Sequence, residues 1–181
     1  AALTISDDGW VAGSGIFFPD APTEGYCRAW VTQVGLGGNW TNAVGGTWGR
    51  GPNWSTGTPA MQVGHARFDL DSTYTVELDR DERTETIAVN AGMVTIEGNG
   101  HALAVENGVS IADGATLMLT ETGALVLDIN DTGPSSFILG DGTVNLDGTL
   151  LFDMSDVSAF GSWNVLAVGT LTETFGPGFT V

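Results

Sequence analysis

Between Met93 and Phe152 the chain repeats a short unit in which apolar and polar residues alternate and then give way to a break of Gly, Asn or Asp. An apolar residue at every second position places one side of a strand in a core, and breaks this short leave no room for a helix between strands. The pattern therefore predicts short strands joined by tight turns. The expected buried pairs are Val94/Ile96, Leu103/Val105, Val109/Ile111, Leu117/Leu119, Leu125/Leu127, Phe137/Leu139, Val144/Leu146 and Leu150/Phe152.

The spacing of these strands predicts an all-β fold, a parallel β-helix or β-solenoid. Strand starts lie roughly 6 to 12 residues apart, which suits coils with turns of varying length. Three strands per coil give about 20 to 25 residues per coil, and successive coils stack at ~4.8 Å. A further alternation from Ala66 to Leu78 extends the regular part, and the charged run Asp79 to Arg83 is expected to be a solvated turn. The solenoid is predicted to cover residues 61–181.

The first part of the chain, residues 1–60, has a different character. It holds five of the six tryptophans and many Gly-rich joints, which indicates irregular strands and long turns held by buried indole rings. We expect this segment to cap one end of the solenoid or to take part in assembly. At the other end the apolar alternation runs on to Phe179 and Val181, and an open solenoid end can pair with another chain. Phe179, Val181 and the single cysteine, Cys27, are therefore candidate assembly residues.

The charge is strongly negative, since five arginines and no lysine stand against 22 acidic residues, for a net charge of −17. Nucleic acid and anionic membrane surfaces are poor partners for such a field, whereas divalent cations are attracted to it. Asp/Asn/Gly turns supply the oxygen donors that Ca²⁺ prefers. The candidate Ca²⁺ ligands are Asp128, Asp131, Asp141 and Asp147. The alternative is that these side chains stabilise their own turns, and no cofactor is required.

Several features indicate an exported protein. One cysteine excludes an internal disulfide, and no stretch approaches the ~20 apolar residues of a membrane span, so membrane insertion is not expected. The opening Ala-Ala-Leu-Thr-Ile is typical of a mature chain after removal of a signal peptide. The predicted location is extracellular or at the cell surface.

Short motifs add a resemblance to a known group of proteins. The stretch Gly46-Thr47-Trp48, Asn53 to Pro59, His65 to Leu70 and Thr73 to Val76 resembles the opening of secreted bacterial surface proteins with autotransporter-like β-strand repeats, often exported with a PEP-CTERM-type sorting tail. Phe152 to Met154, Ser162 to Leu166 and Leu171 to Gly176 resemble the closing part of such repeats. The resemblance implies a right-handed parallel β-helix, export, and a role in adhesion, extracellular matrix or surface structure. It brings no catalytic residues.

Three functions remain open on this basis. The leading one is a non-enzymatic structural protein, a homo-oligomeric subunit of a surface assembly or filament. The second is a carbohydrate-binding or adhesive module with a surface polysaccharide as partner, in which exposed Trp40 and Trp54 contact glycans and the neighbouring Asn39 and Asn53 contact or carry them. The third is a β-helix polysaccharide lyase or hydrolase that uses a carboxylate pair. With 22 acidic residues such pairs arise by chance, so an enzyme is not expected.

Overall fold

The computed structural model describes residues 38–61, 64–131 and 135–171 in full, together with the backbone of three strands between residues 3 and 33. These residues form an all-β structure in which parallel strands stack as a β-solenoid of about five turns. Within the described residues the one helical element is a 3₁₀ turn at Gly51–Asn53. The predicted β-helix is thus confirmed.

The strand bounds follow the breaks in the sequence pattern. In chain order the strands are β1 (Leu3–Ile5), β2 (Trp10–Phe17), β3 (Tyr26–Gln33), β4 (Gly38–Asn39), β5 (Gly46–Thr47), β6 (His65–Phe68), β7 (Thr73–Glu77), β8 (Glu82–Thr84), β9 (Thr86–Val89), β10 (Met93–Glu97), β11 (Ala102–Val105), β12 (Val109–Ile111), β13 (Thr116–Leu119), β14 (Ala124–Asn130), β15 (Ile138–Leu146), β16 (Thr149–Asp156) and β17 (Leu166–Leu171).

The solenoid has three faces, each made of one strand per coil. The first face stacks β4, β6, β9, β12 and the start of β15, and the second stacks β5, β7, β10, β13 and the end of β15. The third face stacks β8, β11, β14 and β16. β15 belongs to two faces because it bends near Gly140, and β17 lies beside it as the last strand.

Inward residues form continuous columns along the axis. One column of the third face runs through Thr84, Val105, Leu127 and Phe152. One column of the second face runs through Tyr74, Val94, Leu117, Val144 and Leu171. In the middle coils these side chains are almost fully buried, as Val94 and Leu127 at 0% exposure illustrate. This layered burial is the main source of stability, at roughly 25 cal/mol per Å² of apolar surface.

Coil length varies more than the sequence indicated. Ile87 lies beside Val109, 22 positions later, whereas Val109 lies beside Ile138, 29 positions later. The extra residues fall after Leu127, in the end of β14 and the segment that leads to β15. A solenoid tolerates such insertions because the added chain leaves the stacked strands in register.

The first coil begins inside the segment that was expected to cap the solenoid. β4 and β5 pair in parallel with β6 and β7, so stacking starts at Gly38. The three earlier strands form a separate antiparallel sheet in the order β1-β2-β3.

Two local expectations were wrong. Phe137 and Leu139 face outward, because the pairing of Val109 with Ile138 turns Ile138 into the core. Three consecutive apolar residues give alternation no unique phase, and the strand pairing decides it. Glu82, placed in a solvated turn, instead begins β8 and is buried beside Arg80, whose Nε donates to Oε1 at 2.9 Å. Burial raises the pKa of this carboxyl, and the Arg80 guanidinium opposes that rise.

We expect Leu127→Ala to lower the free energy of unfolding by about 2–5 kcal/mol, because it leaves a cavity between stacked coils. The matched control is Val126→Ala on the same strand, whose side chain faces outward and is half-buried. Urea unfolding followed by circular dichroism measures both. Equal losses for the two variants would contradict the assignment of the inward column.

We also expect Gly140→Ala to destabilise the fold more than Gly114→Ala. Both glycines have positive φ, +131° and +77°, so each alanine has an unfavourable backbone conformation that costs about 1 kcal/mol. At Gly140 the new methyl group would also collide with the Ile111 carbonyl on the neighbouring coil, whereas the space around Gly114 is open. Thermal unfolding of the two variants tests this, and a smaller loss for Gly140→Ala would refute the account of the bend.

Candidate functional site at the open end of the solenoid

The two ends of the solenoid differ in how their apolar interior is covered. At the first coil Trp40, Trp48 and Trp54 lie over Phe68 with exposures of 1%, 0% and 3%. Their indole nitrogens donate to the backbone carbonyls of Asn42, Ala60 and Trp48, respectively. Buried indoles that keep a hydrogen-bond partner make a dry cover without an unpaired polar group. We call this the closed end.

At the last coil the same inward columns become exposed. Leu171 is 41% exposed although Val144, one coil earlier in its column, is at 0%. Phe152 is only half-buried although Leu127 above it is fully buried. The difference arises because no described strand stacks on β16 or β17. We call this region, formed by β16, the 157–165 loop and β17, the open end.

The loop between β16 and β17 shapes the surface of the open end. A concave pocket of about 380 Å³ is lined by Met154, Val157, Phe160, Trp163 and smaller residues. Phe160 is fully exposed at 110%, and Met154 is exposed at 48%. A second pocket of about 150 Å³ between Ile129, Phe152 and Trp163 lies next to it. Contiguous exposed apolar side chains of this kind mark an interaction surface.

Asp131 holds that loop in place. Its Oδ2 accepts hydrogen bonds from the backbone N–H groups of Ser158 and Ala159, both at 2.8 Å, and from the Ser158 hydroxyl at 2.7 Å. The Ser158 side-chain and backbone hydrogen bonds, together with the one from Ala159, lower the pKa of Asp131. The carboxylate thereby fixes the backbone next to Phe160.

The predicted Ca²⁺ ligands are not brought together. Asp131 accepts hydrogen bonds from the 157–165 loop, Asp141 lies in the bend of β15, and Asp147 follows the end of β15. Asp128 lies beside Asp153 on the next coil, and its own desolvation, followed by the charges of Asp156 and Asp153, raises its pKa. Within the described ranges no group of three or more His, Cys, Asp or Glu side chains is placed to hold a metal ion. Ca²⁺ binding by these aspartates stays a prediction.

The predicted glycan-contact residues do not form one exposed surface either. Trp40 and Trp54 are buried in the closed end, so their rings cannot stack on a sugar. Asn53 is buried too, and its amide donates to the Thr47 carbonyl at 2.8 Å, which leaves no room for an attached glycan. Asn39 is exposed and donates to Asp69 Oδ2 at 2.7 Å, and its glycosylation stays a prediction. Indole burial is the physical reason that the expected carbohydrate face is absent there.

The predicted assembly residues are only partly within the described structure. Cys27 lies in β3, where its backbone is opposite Ile16. Phe179 and Val181 lie outside the described residues. The exposed residues that form the open end, Leu151, Met154, Phe160 and Leu171, were not singled out from the sequence. Leu171 continues an inward column, whereas Leu151 pairs with the outward-facing Val126 and Phe160 lies in the loop between β16 and β17. Alternation alone therefore does not mark these residues as one surface.

Comparison with known proteins identifies no relative. No family model matches the chain, and no curated protein or solved structure matches it. Across the residues that the structure describes, no helix is long and apolar enough to cross a membrane. The likeness to exported surface proteins therefore stays a prediction.

We expect Asp131→Asn to loosen the loop of the open end. Because the pKa of Asp131 is lowered in the fold, the stabilising contribution is present above the ordinary carboxyl pKa of ~3.9 and is lost as pH falls through the lowered value. At neutral pH the amide protons of Ser158 and Ala159 should exchange with solvent roughly tenfold faster in the variant, as lost charge-assisted hydrogen bonds imply.

Hydrogen exchange followed by NMR measures this effect, and Asp113→Asn, at an exposed turn, is the matched control. A carbon-13 titration of the Asp131 carboxyl group should give a midpoint below ~3.9. Unchanged exchange at Ser158 and Ala159 in Asp131→Asn would refute the role given to this carboxylate.

Proposed function

We propose that this protein is a non-enzymatic structural protein of the cell exterior, a subunit that joins a surface assembly through β contacts at its open end. The observation that supports the proposal is the exposure at the last described coil, where inward columns that are fully buried elsewhere reach exposed or half-buried residues such as Leu171 and Phe152. A further β layer pairs with exposed strand edges and covers the ends of apolar columns.

The open end offers both kinds of interaction that such a layer needs. β16 has a single neighbouring strand, β14, and β17 has a single neighbour, β15, among the described residues. In this proposal a strand of the second subunit pairs along the outer edge of β17. The exposed side chains Met154, Phe160 and Leu171 add apolar area, worth roughly 25 cal/mol per Å² when covered.

The partner that we propose is a second copy of the chain. Within the described residues the closed end presents no equivalent apolar surface, because its indole rings are buried and their N–H groups are paired. The first association step therefore joins two open ends about a twofold axis, in which the same patch serves both subunits. Growth into a filament would require a further contact elsewhere in the chain.

Composition supports the placement at the cell exterior. The chain is acidic, contains no lysine and has one cysteine. Together with the motif resemblance to exported repeat proteins, these features favour an extracellular structural role. The adhesive alternative loses the tryptophan surface that suggested it, since Trp40 and Trp54 form part of the closed end.

The test is self-association of the full 181-residue chain. We expect sedimentation equilibrium to show a concentration-dependent dimer, and Phe160→Glu to raise its dissociation constant at least tenfold, which corresponds to about 1.4 kcal/mol. Phe160 is fully exposed, so the substitution removes no contact within the subunit. Circular dichroism confirms that the variant keeps its strand content.

The matched control is Val44→Glu. Val44 is also an exposed apolar residue, at 92%, but lies in the first coil between β4 and β5. It should leave the dimer unchanged while adding the same charge. A chain that stays monomeric at high micromolar concentration, or an equal effect of both variants, would rule out assembly through the open end.

A further inference from the structure

A groove crosses the outer surface of the first face and ends at β15, the strand next to β17 of the open end. It has a volume of about 340 Å³ and is lined by residues of four consecutive coils. Its floor consists of small residues, Ala88 and Ser110, which lie in register between Arg67 on one side and Leu139 on the other. His65 and Phe137 contribute to its walls. At ~4.8 Å per coil the groove is ~14 Å long.

Arg67 is the residue that gives this groove its chemistry. Its side chain is exposed and makes no ion pair or hydrogen bond with any residue in the described part of the chain. By contrast, Arg80 pairs with Glu82 at 2.9 Å, and Arg83 pairs with Glu106 at 3.4 Å. Arg50 is also exposed and without an ion pair in the described part of the chain, but it lies outside the groove. Arg67 is therefore the unpaired guanidinium that a ligand in this groove would meet.

The neighbouring carboxylates are held by other groups. Asp69, two residues from Arg67, accepts hydrogen bonds from the amides of Asn39 at 2.7 Å and Asn90 at 2.6 Å. Glu85 accepts one from the Asn107 amide at 2.9 Å and lies 3.8 Å from the His65 ring. Within the described residues neither acid forms an ion pair with Arg67. The guanidinium, with five N–H donors in a planar fork, thus remains available to a carboxylate from outside.

The other lining groups limit the class of ligand. The groove runs over a face of the solenoid where backbone N–H and C=O groups already pair between coils, so an extended peptide cannot add as a strand. The side chains instead combine apolar surface, from Phe137 and Leu139, with the Ser110 hydroxyl. Apolar side chains can pack against the face of a sugar ring, and a hydroxyl group can hydrogen-bond to the hydroxyls at the edge of the ring.

We propose that this groove binds a linear acidic saccharide, with Arg67 pairing with a sugar carboxylate and the chain lying along the solenoid axis over Ala88 and Ser110. This site is distinct from the open end and does not depend on self-association. Because the protein carries a net charge of −17, binding is weak and is carried by the local contact with Arg67, since charges farther than ~8 Å are screened at physiological ionic strength.

The experiment measures binding of uronic-acid oligosaccharides to the whole chain by titration calorimetry and NMR. The probes are tri- and tetrasaccharides of galacturonic, mannuronic and guluronic acid, each compared with its methyl ester, which keeps the ring and removes the charge. We expect at least one acid form to bind at least tenfold more tightly than its ester. Shifts should appear at the amides of Ala88 and Ser110.

Two substitutions locate the site. Arg67→Gln should weaken binding of the acid form at least tenfold, and Ser110→Phe, which fills the groove and leaves Arg67 in place, should also prevent binding. The control is Arg50→Gln, which removes an equally exposed arginine outside the groove. Circular dichroism confirms folding of all three variants.

Each other outcome overturns the proposal. Equal binding of acid and ester would mean that hydroxyl groups, and not the carboxylate, are recognised. Equal losses with Arg50→Gln and Arg67→Gln would indicate only a general charge effect. Absence of binding to every acidic probe at millimolar concentration would exclude an acidic saccharide. Saccharide binding should be unchanged in Phe160→Glu, the variant that tests assembly. The two proposals can therefore fail independently.

Discussion

In-register stacking of parallel strands is the constraint on which the rest of this structure depends. Each coil gains its backbone hydrogen bonds from the coils before and after it, and each inward side chain is buried by the corresponding residues of those coils. Leu127 is fully buried because Leu103 to Val105 and Thr149 to Phe152 flank its strand. A coil alone would have neither its hydrogen bonds nor its core. The two ends of the stack are therefore where the molecule must find another solution.

The closed end and the open end differ in how their inward columns are covered. At the first coil three tryptophans cover the columns and keep their indole nitrogens paired within the chain. At the last described coil inward residues such as Leu171 are partly exposed, and Asp131 fixes a loop that presents Phe160 to solvent. The asymmetry gives the solenoid a direction and separates the proposed assembly surface from the groove along its side.

Sequence reasoning reached the fold because period-two alternation is a local signal that stacking preserves. Val94/Ile96 and Leu117/Leu119 face inward as expected. It failed where the outcome depends on which strands become neighbours. Phe137, Ile138 and Leu139 are all apolar, and only the pairing with Val109 selects Ile138 for the core. That one-residue shift places Phe137 and Leu139 in the groove, which alternation alone could not reveal. Trp40 and Trp54 beside sequons looked like a sugar-binding surface because local sequence does not report burial by distant Phe68.

One consequence of the layered design concerns how the molecule can change in length. Because Val109 and Ile138 stack as well as Ile87 and Val109 do, despite unequal spacing along the chain, the solenoid accepts loops of different size at its corners without loss of alignment. Duplicating one interior coil in the gene would thus lengthen the rod by a single layer of ~4.8 Å. The tryptophan cover over the first coil and the partly exposed last described coil would both persist, so rods of many lengths would share these two features.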